Sequence, residues 1–181
     1  MELRPPMPRL AAHLLAVTLP CLAATGALAG NDSTYTRHDY QACPEIESPE
    51  PDVITRTRCQ GPAGITVTWT NEPDASSIDI GTRIRSESLG LGSFLAVGPT
   101  IEWRGPQGSR RPLAAIVRYH SGPTVGRLDR PKLVVYRLEP SGRSCIMAVI
   151  DGAPGANARA REIVDDGAQR FRCGVSRRLA R

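Results

Sequence analysis

The stretch between residues 100 and 151 constrains the fold more than any other part of the chain, because four strand-like segments follow one another there. Apolar and polar side chains alternate in the first segment. The last two segments are apolar on both faces, which is typical of strands inside a covered sheet. The connections are rich in glycine and proline, and short connections favour antiparallel neighbours. We therefore expect an antiparallel meander with strands at residues 100–104, 112–120, 133–138 and 144–150.

The apolar pattern changes its period after residue 150. Apolar or small residues then recur at steps of three and four, which indicates an amphipathic helix. Pro154 suits the first turn, Asn157 is a candidate cap, and Gly174 is expected to end the helix. The recurring positions are Ala156, Ala160, Ile163, Val164, Gly167 and Phe171. These features predict an α+β fold in which a C-terminal helix packs on one face of the sheet.

Residues 1–29 have the features of a secretory signal peptide. Arg4 and Arg9 precede an apolar stretch at residues 10–19, and a small-x-small cleavage site follows at residues 27–29. The apolar stretch is shorter than the ~20 residues that a membrane-spanning helix needs. We therefore expect an exported protein, periplasmic or secreted, with no transmembrane anchor after signal cleavage.

Four cysteines remain after the predicted signal peptide, and an even count in an exported protein predicts two disulfides. A metal site is not expected, because the chain has no Cys-x-x-Cys pair and few histidines. A helix of roughly 16 residues that returns alongside the last strand would span ~24 Å, close to the length of that strand. The return brings Cys173 beside Cys145, so we expect the pairs Cys145–Cys173 and Cys43–Cys59.

Composition divides the mature chain into three parts. Residues 30–63 are acidic, polar and interrupted by prolines, which predicts an extended surface segment. Residues 64–174 are expected to form the α+β domain, and residues 175–181 a basic tail. The domain contains further strand patterns at residues 64–70, 76–83 and 94–97.

Both tryptophans are expected in the core. Trp69 and Trp103 share the phase of their strands with isoleucine and valine residues, which argues against an exposed platform for stacking on sugars. The whole chain contains only eight aromatic residues, counting phenylalanine, tyrosine and tryptophan. Binding to nucleic acid by base stacking is therefore not expected.

A series of short motifs occurs in a fixed order through most of the mature chain. They are Arg58-Cys59 with Gly61, Glu102-Trp103-Arg104, Pro112-Leu113-Ala114, Leu133-Val134-Val135, Val149-Ile150-Asp151 and Phe171-Arg172-Cys173. With the two expected disulfides, this pattern resembles a group of small exported bacterial proteins that have no assigned activity. The resemblance implies a location in the cell envelope or outside the cell, and it supplies no catalytic residues.

Motifs for hydrolytic or nucleotide chemistry are missing. The chain contains neither Gly-x-Ser-x-Gly nor His-Glu-x-x-His, and Leu95 stands where a dinucleotide-binding loop at residues 90–95 would need its third glycine. Asp165 and Asp166 diverge by about 100° on a helix, so we expect a solvated face there. No catalytic residue, metal or cofactor is therefore assigned. His120, at a predicted strand end, is the one candidate around which a small hydrolase could be built.

Charge is distributed unevenly along the chain. Residues 30–99 contain 5 basic and 10 acidic residues, whereas residues 100–181 contain 16 basic and 7 acidic ones. In a meander, the connections 105–111 and 139–143 lie at the same end of the sheet. That end should gather Arg104, Arg110, Arg111 and Arg143, while Arg127, Arg130 and Lys132 lie at the opposite end.

The arginine cluster suggests a function in binding. We expect a non-catalytic interaction domain of the periplasm or cell surface, whose partner is an anionic envelope polymer or an acidic protein. Two alternatives stay open: an inhibitor of an exogenous enzyme that presents the loop 105–111, and the small hydrolase that uses His120. The arginines could equally reflect a compositional bias, since Lys132 is the only lysine.

Overall fold

The structure is a computed structural model that describes Met1 and residues 30–84 and 87–179. Apart from Met1, the predicted signal peptide lies outside the described residues. The described part contains nine strands and one α-helix. They are β1 Asn31–Arg37, β2 Thr55–Gln60, β3 Thr66–Asn71, β4 Ser76–Ile80, β5 Arg83–Ile84, β6 Phe94–Pro106, β7 Ala114–Gly122, β8 Arg130–Leu138, β9 Arg143–Asp151 and α1 Ala156–Gly167.

Six strands form the main sheet in the order β1-β6-β7-β8-β9-β5. The consecutive strands β6 to β9 are antiparallel, with Val117 opposite Val134 and Val134 opposite Val149, which confirms the predicted meander. The strand patterns at 94–97 and 100–104 belong to the single strand β6, whose register shifts between Val97 and Ile101. The last neighbour, β5, is short and runs parallel to β9.

The strands β2, β3 and β4 form a small antiparallel sheet that covers one face of the main sheet. Large side chains fill the space between the two sheets, including Trp69 and Trp103, which are 6% and 1% exposed. The expectation that both tryptophans lie in the core is confirmed. The ring of Trp103 also explains why residue 61 is a glycine, because a Cβ at this position would come within 2.8 Å of the indole.

The helix α1 covers the other face of the main sheet and buries Ala156, Ala160, Ile163 and Val164. It is shorter than expected, since it ends at Gly167 and not near residue 174. The N–H of Phe171 still donates to the Gly167 carbonyl at 3.0 Å, so the apolar spacing continues into a turn after the helix has ended.

The helix also begins differently from the prediction. Gly155, with a φ of 83°, precedes the first turn, and Asn157 lies inside the helix, where its side-chain oxygen accepts a hydrogen bond from Arg118 at 3.0 Å. Asn157 is therefore not the cap. The left-handed backbone at this position is one that glycine adopts without strain.

Both disulfides have the predicted pairing. Cys145 and Cys173 join the start of β9 to the turn after α1, with Cα atoms 5.5 Å apart. Cys43 and Cys59 lie 5.2 Å apart by the same measure and hold residues 44–46 alongside β2. There the Arg58 N–H donates to the Pro44 carbonyl at 2.8 Å.

The acidic segment 30–63 contributes to both sheets. Its β1 pairs with β6 along seven residues, and its β2 pairs with β3 along six. A polar sequence can form β1 because an edge strand keeps one side in contact with water. The segment is thus extended and largely at the surface, and it is also an integral part of the fold.

Candidate functional site

Two of the predicted binding residues meet at one end of the main sheet. The connection after β6 lies against the end of β8, since the Leu138 N–H donates to the Leu113 carbonyl at 2.8 Å. Arg111 donates from Nη2 to the Pro140 carbonyl at 2.9 Å. Arg111 and Arg143 line the same cavity of about 250 Å³.

Arg143 and Arg110 differ in how firmly they are held. Arg143 donates from Nη1 to the Cys173 carbonyl at 3.4 Å, and its Nε lies 3.9 Å from Oε2 of Glu139. Arg110 is exposed, and among the described residues it has no hydrogen-bond or ion-pair partner. Its guanidinium is therefore available to a ligand without the loss of an internal contact.

Arg172 belongs to the same end, although the sequence did not indicate it. It donates from Nη1 to the Gln169 carbonyl at 2.8 Å, and it lines a second cleft together with Glu139, Pro140 and Ser141. The only sequence signal was its position next to Cys173, because that disulfide fixes the end of the chain beside β9. We call Arg110, Arg111, Arg143 and Arg172 the basic rim.

A buried arginine lies beneath the basic rim. Arg137 is 4% exposed and donates from Nη1 to the carbonyls of Leu113 and Leu138, at 2.7 and 2.8 Å. Burial lowers its pKa, which the negative charge of Glu139 opposes and the positive charge of Arg172 assists. Arg137 therefore ties the two connections together and adds positive charge under the rim.

Arg104 does not belong to the basic rim. Alternation along β6 directs Trp103 toward the small sheet and Arg104 toward the helix, where the Arg104 side chain is 12% exposed. It binds Asp165 through two hydrogen bonds, of 2.7 Å from Nε and 2.6 Å from Nη2. Asp165, which was expected on a solvated face, is thus an ion-pair partner. Its placement was missed because the sequence did not show that the Arg104 side chain of β6 reaches α1.

A second ion pair lies beside the first. The buried carboxylate of Glu102 accepts from Arg161 at 2.6 Å to Nε and 3.1 Å to Nη2, and from the Ser33 hydroxyl at 2.6 Å. Arg161 also donates to the Tyr35 hydroxyl at 2.9 Å. These contacts join β1, β6 and α1, so their role is structural.

The basic rim has little internal charge compensation. Among the described residues that line its two clefts, Glu139 is the only carboxylate, and one of its oxygens already accepts from the Cys173 N–H at 2.9 Å. At the opposite end of the sheet, Arg127 pairs with Asp129 at 2.8 Å and Lys132 pairs with Asp151. The two ends thus carry similar cations but differ in how many are neutralised.

A larger cavity of about 770 Å³ opens between the edge of β4 and the strands β8 and β9. Residues 87–92 form one wall of it. We call this cavity the inter-sheet cleft. Its polar lining includes the carboxylates of Glu72, Asp79 and Glu87 and the guanidinium of Arg56. It therefore differs in sign of charge from the basic rim.

Hydroxyl groups are organised behind the inter-sheet cleft. The hydroxyls of Tyr119 and Tyr136 lie 3.0 Å apart, and the Ile78 N–H donates to the Tyr119 oxygen at 3.2 Å. Burial raises the pKa of Tyr119 to about 12 and also holds that of Tyr136 well above its usual value. Both phenols are therefore neutral at physiological pH and act as hydrogen-bonding groups of the core.

The histidines are not gathered into a reactive site. His120 is exposed on β7, opposite Ala96 and Pro131, and neither cleft at the rim nor the inter-sheet cleft is lined by a histidine. His38 shares a hydrogen bond of 2.8 Å with Thr36, and partial burial lowers its pKa. Within the described residues, no group of three histidine, cysteine, aspartate or glutamate side chains is placed to hold a metal ion.

Comparison with protein-family models, curated proteins and solved structures finds no match to this chain. In the part of the chain that the structure describes, no helix is both long and apolar enough to cross a membrane. The two disulfides are typical of proteins that function outside the cytoplasm.

Proposed function

We propose that this protein is an exported, non-catalytic binding domain that attaches to anionic polymers through its basic rim. The observation that carries the proposal is the concentration of Arg111, Arg143 and Arg172 around a single carboxylate, with Arg110 exposed next to Arg111 in the same loop. A cluster of uncompensated positive charges raises the local concentration of an anionic ligand. The disulfides and the signal-like N-terminal sequence support a location in the envelope, where such polymers occur.

The chemistry of arginine suits this role. A guanidinium has five N–H donors, and each rim arginine that is held by the protein uses one or two of them on backbone carbonyls or Glu139. The remaining donors can bind phosphate, sulfate or carboxylate oxygens in a forked geometry. The internal contacts also limit the freedom of the side chains, which lowers the entropy lost on binding.

The hydrolase alternative has less support, because it requires His120 to lie near a carboxylate and a nucleophile in a pocket. In the described part of the chain, His120 has no hydrogen-bond or ion-pair partner. The inhibitor alternative rests on exposure of the loop at residues 107–111. That loop carries two of the rim arginines, so the same variants test both binding roles.

Binding to heparin, as a sulfated stand-in, tests the proposal. The rim variant changes Arg110, Arg111 and Arg172 to serine, and the control variant changes Arg127, Arg130 and Lys132 to serine, which removes the same charge from the opposite end. At low ionic strength we expect the rim variant to bind about tenfold more weakly and the control variant to bind nearly as well as wild type. Added salt should weaken wild-type binding.

Two results would overturn the proposal. Equal weakening by the two variants would mean that net charge alone governs binding. No weakening by the rim variant would mean that the rim is not a site. The rim variant should melt close to wild type, since its three arginines are exposed, and the control variant should melt at most slightly lower, since it breaks two surface ion pairs that contribute little to stability.

A further inference from the structure

The inter-sheet cleft is separate from the basic rim and has a mixed lining. Apolar side chains come from both of its sides, namely Leu89, Leu91, Leu95, Ile78 and Ile146. Ser77 and Asp79 extend from β4 on the face opposite to Ile78 and Ile80, which are buried in the core. A volume of about 770 Å³ lies within the range of small-molecule sites, which also combine apolar walls with a few polar groups.

Asp79 is the unusual group in this cleft. It is half-buried, and the described residues supply no hydrogen-bond donor and no close ion-pair partner to its carboxylate. Burial raises its pKa, and the positive charge of Arg56 only partly offsets the effect. Arg56 itself donates from Nη1 to the Glu47 carbonyl at 3.3 Å. The fold thus keeps a carboxylate that burial destabilises, and such groups are concentrated at functional sites.

The two other carboxylates of the cleft differ from Asp79, since Glu72 is exposed to solvent and Glu87 is already engaged. Glu87 accepts from the Ile146 N–H and from Arg178, each at 3.1 Å. It therefore fixes the wall formed by residues 87–92 against β9. Asp79 is left as the group that a ligand would neutralise.

We infer that the inter-sheet cleft binds a small organic cation, in which an ammonium group pairs with Asp79 and an apolar chain lies against Leu89, Leu91 and Leu95. An ammonium group supplies the donors that the carboxylate lacks, and a charged hydrogen bond gains strength where water is partly excluded. The apolar part gains from the removal of its surface from water. An anionic ligand is disfavoured, because carboxylates outnumber the one arginine in the described lining.

The test compares three six-carbon compounds that share the apolar chain: hexylamine, hexanol and hexanoate. Binding to the mature protein at pH 7 is followed by NMR titration and by the shift in melting temperature. We expect hexylamine to bind best and hexanoate worst. Asp79→Asn should weaken the binding of hexylamine by about tenfold and leave that of hexanol unchanged.

The matched control is Asp74→Asn, which removes the same charge from an exposed position in the turn before β4. It should leave the binding of hexylamine unchanged. The inference is overturned if hexanol binds as tightly as hexylamine, or if Asp74→Asn and Asp79→Asn weaken amine binding equally. Loss of fold does not confuse the result, because Asp79→Asn removes a burial cost and should melt no lower than wild type at pH 7.

Discussion

On the face of the main sheet that packs against β2–β4, the core contains large aromatic side chains, whereas the face under α1 is lined mainly by small and branched aliphatic ones. Trp103, Tyr119 and Tyr136 lie on the first face, and their polar atoms are paired. The indole N–H of Trp103 donates to the Thr36 hydroxyl at 2.8 Å, and the two tyrosine hydroxyls pair with each other. On the second face, alanines of α1 allow a close approach to the sheet.

The cores on the two faces differ because a sheet covers one face and a narrower helix covers the other. Six strands at about 4.8 Å spacing make a sheet ~24 Å wide, and a helix with side chains is only ~10 Å across. The helix therefore leaves part of its face uncovered, next to β1 and β6. The ion pairs Glu102–Arg161 and Arg104–Asp165 cover that part. Apolar burial thus dominates on one face, and charged contacts and a disulfide supplement it on the other.

Removal of the largest buried side chain should have the largest effect. Trp103 is 1% exposed, and Trp103→Ala should lower the free energy of unfolding by about 3–5 kcal/mol, because it leaves a cavity between the sheets. Trp103→Phe, which keeps a ring but loses the hydrogen bond to Thr36, should cost less. Urea denaturation measures both. If Trp103→Ala unfolds at the wild-type denaturant concentration, the aromatic face does not dominate the stability.

On the helix face, the matching change is Glu102→Gln. It keeps the shape of the side chain but removes the negative charge that accepts hydrogen bonds from Arg161 and Ser33, and it should cost about 1.5–3 kcal/mol. The control is Glu162→Gln on the exposed side of α1, where the ion pair to Arg159 is 4.0 Å long and an exposed pair contributes about 0–1 kcal/mol. Equal losses in the two variants would show that the Glu102 contacts do not fix the helix on the sheet.

The sequence predicted the strands correctly where burial on both faces made the run of apolar residues continuous. Apolar runs predicted β7, β8 and β9, because both faces of these strands are covered. The edge strand β1 was not predicted as a strand, since its side chains are mostly polar and only pairing with β6 defines it. The strand pattern also predicted the correct disulfides, although the helix is shorter than the one used in that argument.

The residues of the candidate site could be predicted from the sequence only in part. Arg111 and Arg143 follow from the rule that alternate connections of a meander lie at one end. Arg104 lies apart from the basic rim, because alternation along β6 indicates that it faces away from Trp103 but not that α1 supplies Asp165. The inter-sheet cleft was not predicted, since it depends on how the edge of β4 lies relative to β9. A local pattern of residues in the sequence does not indicate how segments that are distant along the chain pack together.

The smallest expected effects come from two aspartates on the elements that cover the two faces, Asp165 on α1 and Asp79 on β4. Their contributions to stability should depend on pH in opposite ways. Burial acts to raise the pKa of Asp165, but hydrogen bonds from Arg104 and Asn31 outweigh it and lower the pKa. Its stabilising effect is therefore present above the unfolded pKa of about 3.9 and is lost as pH falls through the folded value. The pKa of Asp79 is raised by burial, so ionisation costs stability once pH exceeds 3.9 or so.

At pH 7, Asp165→Asn should lower the melting temperature and Asp79→Asn should raise it, each by the equivalent of about 1 kcal/mol or less. Thermal melts from pH 7 down to pH 3 should show the two curves converging on that of wild type. Curves that stay parallel would mean that the carboxylates influence stability through packing and not through charge.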